Sequence, residues 1–220
     1  MSSLVIDRQA LLLEAKRRRK LYPTTAALRL AGLYFAGPGP VQELRRALEE
    51  AVEFLPTGLL AHLVDHPTGH LLVLPQVPAG LPSRHSCYVE GEVAIEGQTF
   101  RNVACVLAED LARGAGVAQH ELAHLLDHLL GSAGRPGGRY LSEGAGAMPA
   151  LADLGQRLQS LYLERPRLGY SARCGPRSYF ARSVQEYCLR PGVLEQDDPG
   201  MYRFLGDTVL AETFWKRRLS

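Results

Sequence analysis

What the chain lacks narrows its class before any motif is read. No stretch approaches the ~18 consecutive apolar residues of a membrane-spanning helix, so no membrane partner is expected. Residues 1–20 do not follow the order of a signal peptide, because the basic run Lys16 to Lys20 comes after the apolar stretch Ala10 to Leu13 instead of before it. A cytoplasmic protein is the expectation, and export by a route without a cleaved signal would leave no mark here. An excess of one charge is also missing: 25 Lys and Arg against 23 Asp and Glu give a formal net charge of +2. The two signs are mixed, so the field that nucleic-acid binding usually needs is absent. The run Lys16-Arg17-Arg18-Arg19-Lys20 ends a helical stretch, where cations meet the helix dipole favourably, and no aromatic residues interleave it. No nucleic-acid partner is expected. Cysteine is scarce, and Cys87, Cys105, Cys174 and Cys188 show no CxxC spacing. That argues against a thiolate zinc site and points to free thiols.

What is present suits an ordinary globular chain: 220 residues, 46% apolar and 22% charged, enough for one compact domain or two small lobes. Apolar residues recur at helical spacing from Leu4 to Lys20 and from Val41 to Phe54, with a breaker at 36–40 and another at 56–58. The runs Leu59 to Val64 and Leu71 to Leu74 flank Asp65-His66-Pro67-Thr68-Gly69 and predict a hairpin. Val89 to Leu107 predicts two more strands around Glu96-Gly97. Ala118 to Leu130 reads as a helix with Gly131 as its C-terminal cap. Further helices are expected over 151–163, 183–189 and 201–219. The order predicts an α+β fold: an N-terminal helical segment, 1–58, then a catalytic domain, 59–220. Within the latter, 59–131 holds a small sheet and the motif helix and 132–220 is mainly helical, with a site in the groove between.

The strongest local signal is His120-Glu121-Leu122-Ala123-His124. Two imidazoles one turn apart on the same helix face can reach one tetrahedral ion, and His ligation with an open position suits zinc, one ion per chain. Glu121, beside the first ligand, is placed to act as general base on a water that attacks a carbonyl. A catalytic site usually takes a third protein ligand. Asp127 and Leu130 stand where the extended metzincin motif has Gly and His, which excludes that class. All other histidines except His128 lie upstream, so a downstream carboxylate is the better candidate, and Glu143, Glu164 and Glu186 are available. Asp127, one turn beyond His124, could accept the free N–H of a ligand imidazole and fix its tautomer. His62, His66 and His70 surround the expected hairpin and His85 lies near it; a turn position is their expected role. His128 is rotated off the midline of the pair.

The series His120 to Asp127, Gly131, Tyr179 and Glu186 resembles the catalytic domain of anthrax lethal factor and its relatives, the glutamate-zincins. In that family HExxHxxD and a following glycine precede a tyrosine seven residues before the ligand glutamate. The resemblance therefore implies a zincin-like fold and a metallopeptidase acting on peptide or protein substrates. It implies Glu186 as third ligand and Tyr179 as the donor that stabilises the oxyanion. Residues 198–205 look like the family's closing proline-led helix, and residues 1–80 carry none of the likeness. Where the family often has a second glutamate four residues after the ligand, this chain has Arg190. The alternative function is a regulatory or non-proteolytic protein of the same fold that binds zinc without efficient turnover. The strand at 88–95, if it lies at the sheet edge, is a place where an extended substrate could pair.

Overall fold

A computed structural model describes residues 50–74, 76–77, 81–95, 98–164 and 175–216. The helix expected over 4–20 and most of that over 41–54 lie outside them, although residues 50–52 are helical. The chain is α+β. It divides into two compact units, Met1–Ala118 with Glu212–Ser220, and Gln119–Ala211. Among the described residues, no helix is long and apolar enough to cross a membrane.

The first unit holds α1 (Thr57–Asp65), a three-stranded sheet of β1 (His70–Leu74), β2 (Cys87–Ile95) and β3 (Gln98–Leu107), the short α2 (Ala108–Arg113), and α8 (Glu212–Lys216). The strand order is β1-β3-β2. β2 and β3 form the expected antiparallel hairpin, with Ile95 opposite Gln98, and β1 joins β3 in parallel. β2 therefore lies at the edge of the sheet among the described residues. A bulge between Val89 and Glu92 interrupts its ladder. Gly91 there has φ 79°, and Asn102 opposite has φ 53°. The Asn102 amide spans the irregularity, accepting from the Gly91 N–H at 3.0 Å and donating to the Thr68 hydroxyl at 3.0 Å. Leu72, Leu74, Ile95, Val103, Cys105 and Leu107 form the buried cluster of the sheet. Cys87 and Cys105 stand opposite each other across the β2–β3 ladder as free thiols.

The run Leu59 to Val64 is helix and not the first strand of a hairpin. Pro56 stands at the N-cap of α1, and Leu59, Leu60 and Leu63 are buried at helical spacing. Each such leucine contributes roughly 1.5–3 kcal/mol relative to exposure. The helix is tied to α8 by the Thr57 N–H donating to Glu212 at 2.7 Å and by His62 stacked on Trp215.

The second unit contains most of α3 (Gly116–Ser132), a 3-10 turn (Leu141–Glu143), α4 (Pro149–Leu163), α5 (Gly175–Leu189), α6 (Pro191–Asp197) and α7 (Pro199–Asp207). The helix expected over 201–219 is thus two helices, parted by a turn at 208–210 that the Leu210 N–H closes onto the Leu205 carbonyl. Its core combines Leu122, Leu126, Leu129, Leu151, Leu158, Phe180, Val184, Leu194 and Phe204. Gly131 does not cap α3. The helix runs through it to Ser132, and Ala133 and Gly134 take the left-handed conformation after it. Gly131 is instead a contact point: a Cβ there would meet the backbone of Arg139, Tyr140 and Leu141, standing 2.6 Å from the Arg139 carbonyl oxygen. The absent side chain lets the 3-10 turn press against the helix.

Candidate metal centre

Residues 119–132 of α3 bury Leu122, Leu125, Leu126, Leu129 and Leu130 on one side and carry the motif on another. His120 and His124 lie edge to face, with ring centroids 4.9 Å apart and planes at 81°. Both imidazoles favour the neutral, metal-competent form. Burial lowers the His120 pKa most, the Arg182 charge adds to this, and a hydrogen bond with Gln185 opposes it. At His124, burial, then His120 and Arg177, bring the pKa down to about 3. Glu121 between them is 8% exposed.

Behind the pair, Asp127 is fully buried, and burial lifts its carboxyl to about 7 against the bonds from Ser142. Its partner is not an imidazole. Ser142 donates its backbone N–H to Oδ1 at 2.7 Å and its hydroxyl to Oδ2 at 2.6 Å. Asp127 therefore pins the 3-10 turn to α3 and does not set a histidine tautomer. The same turn carries Glu143, which accepts the Tyr140 N–H at 2.9 Å and the Arg177 Nε–H at 2.7 Å. Burial tends to raise the Glu143 pKa, but the bonds from Arg177 and Tyr140 and the Arg139 charge outweigh it and hold the carboxyl low. The Arg177 guanidinium lies 3.6 Å over the Tyr140 ring, which stacks on His128 at 4.6 Å. His128 is fully buried and bonded to the Arg135 carbonyl at 2.9 Å, so it is a packing residue of this layer.

α5 carries the remaining expected residues. Tyr179 is fully buried and donates its hydroxyl to Asp198 Oδ2 at 2.6 Å, while Asp198 Oδ1 caps α7 at the Met201 N–H. Burial first and Asp198 second raise the phenol's pKa. The expected oxyanion donor is thereby occupied as a structural tie between α5 and α7. Glu186 is 3% exposed. Arg182 reaches its Oε1 at 2.6 Å, while Arg190 takes both oxygens, Oε1 at 2.6 Å and Oε2 at 2.8 Å.

The donor set therefore fits zinc in part. Two half-buried imidazoles that favour the neutral form are brought together; the carboxylate expected to join them is engaged by arginines. Among the described residues, no group of three or more His, Cys, Asp or Glu side chains converges closely enough to hold an ion. Of the rival ligands, Glu143 is held by Arg177, and Glu164 lies exposed just past the end of α4. Arg177, Arg182, Ser142 and Gln185 are the site neighbours that motif reading passed over, and Arg190, noted only as a departure from the family pattern, is a partner of Glu186. For Arg182 and Arg190 the signal was present, since each stands four residues from Glu186.

No family model, no curated protein and no solved structure matches the chain.

Proposed function

We propose that this chain is a zinc-dependent metallopeptidase of zincin-like fold that hydrolyses peptide bonds in a peptide or protein substrate. The observation that supports this most is the His120–His124 pair: two half-buried imidazoles with ring centroids 4.9 Å apart, both favouring the neutral form, with the buried Glu121 next to His120 in the same helical turn. His120 and His124 would hold the ion, and Glu186 would join them as third ligand. Zinc, when bound, acidifies a water and polarises the scissile carbonyl. Glu121 takes the proton of the attacking water and delivers it to the leaving amine. The reading carries with it a cytoplasmic protein with no nucleic-acid or membrane partner.

A second reading, a zincin-fold regulator that binds zinc without efficient turnover, is favoured by a specific observation: the Tyr179 hydroxyl and both oxygens of Glu186 are already bonded. Cleavage of a peptide library by zinc-loaded protein, compared with Glu121→Gln, separates the two. Cleavage lost in the variant supports the peptidase. Zinc retained with no cleavage by either protein supports the regulator.

A further inference from the structure

Glu186 is an unusual candidate ligand because it is buried and yet held from two sides. Its side chain is 4% exposed, whereas those of Arg182 and Arg190 are 47% and 56% exposed. Arg190 grips it as a fork, four residues on, and Arg182 takes Oε1 from four residues before. Arg182 also donates from its other terminal nitrogen to the Gln185 side-chain oxygen at 2.9 Å, and Gln185 is hydrogen-bonded to His120. A connected series thus runs from His120 through Gln185 and Arg182 to Glu186 and Arg190.

Two consequences follow from elementary electrostatics. A carboxylate accepting three charge-assisted bonds must give some of them up before it can ligate a cation. The Arg182 guanidinium, bonded to Gln185 and Glu186 beside the candidate ligands, also opposes a second cation there by like-charge repulsion. Both arginines are half in water, so each can swing out and remain solvated. Two i,i+4 ion pairs on an exposed helix would be ordinary surface decoration. Here they converge on a buried carboxylate that is linked to a motif histidine.

We propose that Arg182 and Arg190 form a clamp that withholds Glu186 from the His120–His124 pair, so that the pair alone binds metal weakly and tight three-ligand binding requires the clamp to open. The inference rests on the reading that the pair binds zinc. The clamp makes the site latent: weakly loaded while both arginines hold Glu186, and fully ligated when a partner or substrate acid draws a guanidinium away.

The test is a chelator-competition titration of zinc into the full chain, with the visible spectrum of the cobalt form as a second readout. The proteins are wild type, Arg182→Gln, Arg190→Gln, Arg182→Gln with Glu186→Gln, and His120→Gln. Arg182→Gln leaves the Arg190 fork in place, so Glu186 keeps a partner. The clamp predicts zinc binding about tenfold tighter in either single arginine variant. It predicts stronger cobalt absorption as a carboxylate joins, and both gains lost when Glu186→Gln is added. A purely structural ion pair would shift the melting temperature and leave metal affinity alone. Unchanged or weaker binding in both arginine variants overturns the clamp, as does a gain that survives Glu186→Gln. If His120→Gln binds zinc as well as wild type, or if no protein binds it, the metal reading itself falls and the clamp falls with it.

Discussion

Asp127→Asn is the most informative single change in the second unit, because it replaces a buried titratable carboxyl with an amide of nearly the same shape. Burial lifts the wild-type carboxyl to about 7, whereas an unfolded carboxyl titrates near ~3.9. Between those values the native state holds a proton that the unfolded chain has released. Stability therefore falls as pH rises through this window, by at most ~1.4 kcal/mol per pH unit. From pH 5 to 7 the contribution of Asp127 is on the order of 2 kcal/mol.

His124 slopes the other way in metal-free protein. Its native pKa is held at about 3, so below ~6.5 the unfolded chain takes up a proton that the native state refuses, and stability rises with pH up to that point. The two slopes oppose each other over much of the acid range, and the wild-type curve alone is uninformative. The difference between wild type and Asp127→Asn isolates the carboxyl, because the histidine slope is common to both. Urea unfolding followed by circular dichroism, in metal-free buffer at pH 5, 6, 7 and 8, measures it. Wild type should lose stability relative to the variant by on the order of 2 kcal/mol from pH 5 to 7 and no further above that. A difference that stays flat across the range would mean that the Ser142 bonds keep Asp127 ionised throughout, and would refute the reasoning.

Gly131→Ala should destabilise the second unit by roughly 1–3 kcal/mol, read from the same unfolding curves, because the methyl meets the backbone at 139–141 and not a flexible side chain. Tyr179→Phe removes the hydroxyl bonded to Asp198. It should cost about 1–2 kcal/mol of stability while leaving the kcat of any peptidase activity within a few-fold. A fall of ~10²-fold in kcat with stability intact would restore the tyrosine to an oxyanion role.

Local patterns were legible in the sequence, and the errors arose where two structures share one pattern. The β2–β3 hairpin announced itself by runs flanking Glu96-Gly97, and the HExxH helix by spacing alone. The run Leu59 to Val64 is apolar except for His62 and too short for periodicity to separate strand from helix; Pro56, a helix-start residue, was the discriminating signal. Gly131 was expected as a cap because a glycine after a helix serves chain reversal and close approach alike. Only the backbone at 139–141 distinguishes the two. At the candidate site, the juxtaposition of His120 and His124 was legible because it is set within one helical turn. Asp127 and Tyr179 were assigned partners that tertiary contacts replaced with Ser142 and Asp198, 15 and 19 residues away. Glu186 is the intermediate case. Its arginines lie within one turn on either side and could have been read as its partners.

The central claim is that His120 and His124 bind the metal on which Glu121 acts. Elemental analysis of the purified full chain, wild type beside His124→Gln, tests it most directly. About one zinc per wild-type chain and a trace in the variant is the predicted result. No zinc in a zinc-equilibrated wild type, or equal zinc in both proteins, would contradict it.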